Sequence, residues 1–236
     1  MNLSQRSTEE EIMDDLACQG PVVDQTLREL DFINKWLGGN DVTLAAVKRV
    51  LQTSPGRQWT VADLGCGSGD ILARIVSWAK QQKIALHGTG IDANPHIVAF
   101  ARAHHPHPEL SFEALNVFSD AFRQRSFDLV LATLFMHHFT HAQLAELLRA
   151  LKKQARVAIV INDIHRHPLA YYSIKWLTQA FSRSAMVKFD APLSVRRSFT
   201  RGEWERILAE AGIEHYQLRW RWAFRWQLTI PTAEKT

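Results

Sequence analysis

The sequence predicts an α/β protein. Its expected architecture is a doubly wound, mostly parallel sheet of seven strands with an antiparallel C-terminal strand, a helical lid ahead of it and a helical insert after strand five. Three observations predict this class. From Trp59 onward, short apolar runs alternate with amphipathic helical stretches, as right-handed crossover units require. The runs "VLAT" and "VAIVI" lack two-residue alternation, as strands covered on both faces do. The first strand-to-helix turn, "DLGCGSGD", carries Gly65, Gly67 and Gly69. Sheets of this kind bind ligands at such turns, beyond the carboxyl ends of their strands.

Taken in order, residues 1–54 read as a helical N-terminal lid and 55–236 as the main domain. Helices are expected over 9–17, 24–36 and 42–52. In the second, Leu27, Leu30, Ile33 and Trp36/Leu37 recur at three- and four-residue spacing, and Gly38-Gly39 stops it. "TSPGR" closes the third. Strands follow at 59–64, 85–91, 110–116, 127–134 and 156–162, with helices at 70–82, 95–103, 141–153 and 203–211. Residues 165–200 interrupt the alternation and read as a helix plus a loop set just after a strand end. From 214 to 230, Tyr216, Leu218, Trp220, Trp222, Phe224, Trp226, Leu228 and Ile230 alternate with other residues. That pattern predicts one long strand or a hairpin pair with one wet face, hence antiparallel.

Composition excludes several classes. With 236 residues, 46% of them hydrophobic and 22% charged, the chain can bury a core within a single main domain. A net charge of +4 is too slight to mark a nucleic-acid protein. Cys18 and Cys66 are the only cysteines, so no disulfide framework exists. The polar, acidic start "MNLSQRSTEEEIMDDL" is unlike a signal peptide. No run approaches the roughly 20 apolar residues of a membrane span. A cytoplasmic monomer or homodimer without stable membrane insertion is expected.

The glycine spacing chooses the ligand. A dinucleotide loop reads G-x-G-x-x-G and sets a pyrophosphate on the helix N-terminus. Here the spacing is G-x-G-x-G, and Asp70 stands where the last of those glycines would be. A carboxylate there repels a pyrophosphate and suits a cationic amine; Asp63 points the same way. One β-α-β unit later, "GTGIDANP" ends a strand at Asp92, where one carboxylate can accept both hydroxyls of a ribose.

At these residues the sequence resembles the class I S-adenosylmethionine-dependent methyltransferases, whose fold is Rossmann-like. The resemblance covers roughly residues 55–230. It implies that Asp63, Gly65, Cys66, Gly67 and Gly69 line the methionine half of S-adenosyl-L-methionine. It further implies that Asp92 holds the ribose, Ala93 and Asn116-Val117 meet the adenine, and Leu134 faces the methionine moiety. Relatives often carry an aspartate where Asn116 stands, and Asn can accept the same bond through its carbonyl. The flanks "LRELDFINKWLGG", "VINDIHRHPLAYY" and "DAPLSVRRSF" are similar to bacterial small-molecule methyltransferases of quinone biosynthesis and polyketide tailoring.

Methyl transfer from a sulfonium needs alignment, and a base when the acceptor is a hydroxyl. Candidate bases are His165 in "NDIHR" and the pair His137-His138 in "LFMHHF"; Asp163 could orient His165. Arg196 and Arg197 are candidates to hold an acidic or phenolate acceptor, against a surface pairing with Asp190. Tyr171 and Tyr172, with Trp176 and Phe181, could wall an aromatic acceptor or pack in the core. Thr133 stands where a metal-assisted mechanism would need a carboxylate, so no metal is expected. "HHPHP" at 104–108 reads as an exposed loop. No N/D-P-P-aromatic tetrapeptide follows strand four, which argues against a nucleic-acid base as acceptor. The expected activity is O-methylation of a phenolic or polyketide-like small molecule. C-methylation of a quinone precursor, a dehydrogenase, and a catalytically silent cofactor-binding partner are the alternatives. The Trp/Arg-rich "RWRWAFRW" either covers a sheet face or touches membrane.

Overall fold

The computed structural model describes residues 3–54 and 56–232. Pro55, at the expected start of the main domain, residues 1–2 and residues 233–236 lie outside the described residues. The sheet is formed by β1 (Trp59–Leu64), β2 (Leu86–Asp92), β3 (Leu110–Ala114), β4 (Phe127–Thr133), β5 (Ala155–Ile164), β6 (Gln217–Arg221) and β7 (Arg225–Pro231), in the order β3-β2-β1-β4-β5-β7-β6. Strands β1 to β5 run parallel, and β7 lies antiparallel between β5 and β6. The order therefore reverses between β1 and β4, which places a crevice at the carboxyl ends of those two strands.

The helices are α1 (Pro21–Trp36), α2 (Gly39–Leu51), α3 (Asp70–Gln81), α4 (Pro95–His104), α5 (Asp120–Arg123), α6 (His141–Gln154), α7 (Pro168–Phe181), α8 (Ala185–Arg197) and α9 (Arg201–Glu210). Consecutive residues of the central strands turn to opposite faces, and helices cover both. Val61, Leu129, Leu131 and Val160 meet Ala46, Val47, Ile75 and Val76 of α2 and α3. Ala62, Val130, Ile159 and Ile161 meet Leu144, Leu148, Trp204 and Ile207 of α6 and α9. A strand buried on both sides has no polar stripe, which is why "VLAT" and "VAIVI" read as continuous apolar runs.

Within residues 1–54, α2 is a core layer, bolted to the strand ends. The Asn162 amide donates to the Gly39 carbonyl at 2.8 Å and to Thr43 Oγ1 at 3.0 Å, and the Thr43 and Thr133 hydroxyls meet at 2.9 Å. The segment before α1 and α1 itself line the crevice instead. The helix expected over 9–17 is only a single 3-10 turn, Ile12–Asp14. Tertiary bonds hold this stretch: the Asp190 carboxylate accepts the Ile12 and Met13 amides at 2.8 and 3.2 Å.

Two further differences have physical causes. The insert expected to be a helix plus a loop is two helices. Ser184 caps α8 by accepting the Val187 amide, and that helix accommodates Pro192 in its interior. The C-terminal segment is the hairpin form, β6 and β7. Among the described residues no helix is long and apolar enough to cross a membrane.

Arg166, just past the end of β5, is buried and fully engaged. It donates to the Leu3 carbonyl at 2.9 Å, the Ser198 carbonyl at 2.6 Å and Glu203 Oε1 at 2.7 Å. Arg166→Ala strands the Glu203 charge and should lower unfolding stability by about 3–5 kcal/mol, read from urea denaturation. A loss below about 1 kcal/mol would show that water replaces the guanidinium at little cost.

Candidate functional site

The crevice is a cavity of about 1150 Å³ walled by α1, the segment before it, the turns after β1, β2 and β4, α7, α8 and the β6–β7 tip. Single-ligand pockets span roughly 300–1,000 Å³, so there is room for two ligands side by side.

One part of the wall is the β1–α3 turn. Gly65 and Gly67 have φ of +64° and +52°. A Cβ on Gly65 would lie 2.1 Å from the Phe135 ring, whereas one on Gly67 would meet only Leu27, at 3.9 Å. The first glycine lets two loops interlock, and the second leaves bare backbone facing the cavity. Cys66 lines the cavity between them. Gly69 does not line it; its missing Cβ makes way for Phe112 behind the turn.

Carboxylates surround this turn. Asp63, at the end of β1, is 1% exposed and lines the cavity. Neither of its oxygens has a partner among the described residues. Burial, with the Asp92 charge adding to it, pushes its carboxyl up to about 7. Asp92, ending β2, accepts the Gly67 amide at 3.3 Å and the Asn94 amide at 3.0 Å, and burial raises its pKa despite these bonds. Asp70, expected to await a cationic ligand, already takes the Asn40 amide at 2.7 Å and Arg74 Nε at 3.0 Å.

Sequence reasoning missed Asp31 of α1. It lines the cavity and accepts the Ser68 hydroxyl at 2.6 Å, and burial lifts it to about 6. The available signal was its place on the inward face of α1, one residue after Leu30. Ala93, Asn116, Val117 and Leu134 also line the cavity. Asn116 Oδ1 already accepts the Phe118 amide at 2.8 Å, which leaves that carbonyl its second lone pair. Leu134 is left-handed, φ +55°, and its amide donates to the Asn162 carbonyl at 2.8 Å.

The candidate bases and acceptor contacts are spread over several environments. His165 does not reach the cavity. Ile164 faces it, so the next side chain along the chain turns away. The His165 ring instead lies 4.8 Å from Trp226, and burial followed by the His167 and Arg166 charges lowers its pKa. Asp163 orients the other candidate: its Oδ1 receives His137 Nδ1 at 2.7 Å and its Oδ2 the His137 amide at 3.0 Å. Burial pushes Asp163 up, but the His137 charge and hydrogen bond prevail and hold it below the usual carboxylate range. His138 lines the cavity beside His137, with Nδ1 2.5 Å from Asp14 Oδ1.

The two arginines have structural partners. Arg197 is buried, pairs with Asp14 and donates to the His138 carbonyl at 2.8 Å. Arg196 lies outside the cavity and pairs with Glu9 at 2.9 Å, not with Asp190. Tyr171 and Tyr172 do not line the cavity either; α7 offers it Ala170, Ser173, Ile174 and Leu177. Arg225 was also missed. It is buried in the cavity wall, donates Nη2 to Asn34 Oδ1 at 3.2 Å, and has no partner for Nη1 among the described residues. Burial lowers its pKa to about 10, against the attraction of Asp163.

Although no metal is expected from the sequence, Glu11, His137 and His138 bring potential ligand atoms within 4.8 Å of one another and could hold a cation. Arg197 Nη1, 3.8 Å from Glu11 Oε1, already supplies positive charge there.

Residues 61–157 match the methyltransferase domain family. The chain is 26% identical over 151 residues to a 2-phytyl-1,4-naphthoquinone methyltransferase of Nostoc sp., an overlap of 61% of this chain and 64% of that one. The chain thus spans a little under two thirds of that relative. Human N-acetylserotonin methyltransferase in complex with S-adenosylmethionine superposes with a TM-score of 0.64 at 17% identity, covering 89% of this chain and 56% of that one. The plantazolicin methyltransferase in complex with S-adenosylhomocysteine superposes with a TM-score of 0.63 at 17% identity, covering 90% and 95%. At these identities the structural likeness is one of fold.

Asp63 yields a prediction without any ligand. Its folded carboxyl, at about 7 against an ordinary 3.8, keeps its proton where the unfolded chain releases it. That proton favours the folded state fully below about pH 4, and the contribution is lost as pH rises to about 7. In urea denaturation the protein should lose stability across this window, and Asp63→Asn should lose less by about 1–3 kcal/mol. Equal losses would show that Asp63 is solvated.

Proposed function

We propose that this chain, which carries a class I S-adenosylmethionine-dependent methyltransferase domain, methylates a hydroxyl of a small phenolic or polyketide-like acceptor. The observation that supports this reading most is a conjunction within one cavity. The unpartnered Asp63 carboxylate and the bare Gly67 backbone lie in the same wall as an imidazole oriented by a carboxylate, His138 on Asp14.

The donor half fits the cofactor. Asp63 lacks the cation or hydrogen-bond donor that a buried carboxylate requires, and an α-ammonium or a sulfonium supplies positive charge. In this reading Gly65, Cys66, Gly67 and Leu134 flank the methionine portion, Asp92 accepts the ribose hydroxyls, and Ala93, Asn116 and Val117 border the adenine. S-adenosylmethionine supplies a methyl group on a positively charged sulfur, ready for in-line displacement.

The chain's own residues prepare the acceptor. His138 donates Nδ1–H to Asp14, which leaves Nε2 as the proton acceptor for a hydroxyl. His137, buried and held by Asp163, stands against it with ring centroids 4.3 Å apart and fixes the pair. Arg225 Nη1 is a donor for an acceptor oxygen. Ile174 and Leu177 give the acceptor an apolar wall and exclude water. A second reading, C-methylation of a quinone precursor, is favoured by the naphthoquinone methyltransferase among the relatives. There the same imidazole would take the ring proton.

The test is to incubate the protein with methyl-labelled S-adenosylmethionine and panels of phenols and quinols, and to assign the labelled position by NMR. A methyl ether supports the first reading and a ring methyl the second; no transfer to either panel defeats both. Asp92→Ala should weaken S-adenosylmethionine binding by about 1.5–3 kcal/mol in calorimetry, as loss of hydrogen bonds to a charged group does. Unchanged affinity would remove the ribose assignment. His138→Ala should lower kcat by roughly 10²–10⁴-fold with cofactor affinity intact, and normal turnover would reduce His138 to a packing role.

A further inference from the structure

Three elements frame the mouth of the cavity and meet one another at its corners. α1 meets the α7–α8 connection where Glu29 accepts the Arg183 and Ser184 amides at 3.1 and 3.4 Å. The end of α1 meets the β6–β7 hairpin where Arg225 donates to Asn34. The hairpin tip meets the start of α7 where Phe224 stacks on His167, centroids 5.1 Å apart. Each element turns apolar side chains inward: Ile33 and Leu37, Ile174 and Leu177, Trp222 and Phe224.

The outward side chains of the same elements are apolar as well. Trp36 is 76% exposed, Trp176 74%, Phe181 79% and Trp222 72%, with Phe32, Leu169 and Tyr172 also exposed. A helix apolar on two sides, as α7 is, needs something on its second side. Bare aromatic area on this scale marks a docking surface.

Charge identifies the occupant. Residues 168–188 and 215–231 contain no Asp or Glu. They carry Lys175 on α7, Arg183 and Lys188 just beyond it, and Arg219 and Arg221 on β6, and none of the five has an ion-pair partner among the described residues. A two-fold contact with a second copy would set these cations against their own counterparts. An anionic bilayer instead receives the tryptophans at headgroup depth and pairs the cations with lipid phosphates.

We infer that the rim of α1, α7 and the β6–β7 hairpin docks peripherally on an anionic lipid bilayer, so that a lipid-dissolved acceptor passes from the bilayer into the cavity. The passage of the acceptor rests on the methyl-transfer reading; the docking does not. Trp222 belongs both to the cavity wall and to the exposed rim, which is where such an acceptor would enter.

The full chain should sediment with vesicles of phosphatidylcholine and phosphatidylglycerol in equal parts, bind pure phosphatidylcholine more weakly, and release from the mixed vesicles as salt is raised. The combined variant Trp36→Ser, Trp176→Ser, Phe181→Ser lies outside the cavity. It should lose roughly tenfold or more of vesicle partitioning and keep the parent's affinity for S-adenosylmethionine in calorimetry. Lys175→Glu with Arg219→Glu should lower binding to the mixed vesicles alone. Docking is overturned if the parent stays in solution with both vesicle types, or if the serine variant binds vesicles as well as the parent does. It is also overturned if those serines abolish a dimer of a parent that never binds lipid. A parent that binds vesicles but not S-adenosylmethionine would defeat the methyl-transfer reading and leave the docking intact.

Discussion

A carboxylate without a partner among the described residues, Asp63 near the carboxyl end of β1, is the constraint around which the cavity is built. Burying such a group is unfavourable unless something else compensates it. No described residue does so, yet its neighbours are placed as if to keep it available. Asp92 turns its oxygens to the Gly67 and Asn94 amides, and Asp31 takes the Ser68 hydroxyl. Both neighbours thereby fix the shape of the turn while leaving Asp63 alone. The strand order matters here, because a reversal beside β1 is what opens a crevice at this point instead of covering it with the next crossover.

The second organising device is the stretch ahead of α1. Arg6 donates Nη2 to the His137 and Phe139 carbonyls at 2.9 Å each, and its guanidinium lies 4.0 Å over the Phe199 ring. Burial lowers its pKa to about 10, held up in part by Glu203 and Asp163. Glu11, pushed up to about 7 by burial against the pull of His138 and Arg197, sits 3.6 Å from His137 Nε2. The histidine pair after β4 is thus surrounded by groups from the far end of the chain. Its orientation is a property of the tertiary fold and not of the local turn.

This division explains what could be read in advance. The β1–α3 turn and the end of β2 were legible because their chemistry is local: a glycine that must be left-handed and an acid that must end a strand are written in adjacent letters. The doubly wound sheet was legible for the same reason, through runs without a polar stripe. The histidines were legible only as a set of candidates. Choosing among them depends on strand parity, which turns His165 toward Trp226, and on Asp14, whose approach to His138 no spacing reveals. Asp31 and Arg225 were hidden inside patterns with another explanation, an amphipathic helix and an alternating strand. The aromatic residues of α7 were misleading in a different way, since helical spacing implies a covered face and this one is bare.

The interlocking of Gly65 with Phe135 has a consequence for how such a protein diversifies. The ring occupies the space that a side chain at 65 would need, so the β1–α3 turn and the loop that leads to the histidine pair share one keyed joint. Neither can be reshaped separately: a bulkier residue at 65 expels the ring, and a repositioned ring releases the turn. Variation of the cavity lining is therefore freer along α7 and the hairpin tip, which take no part in this joint.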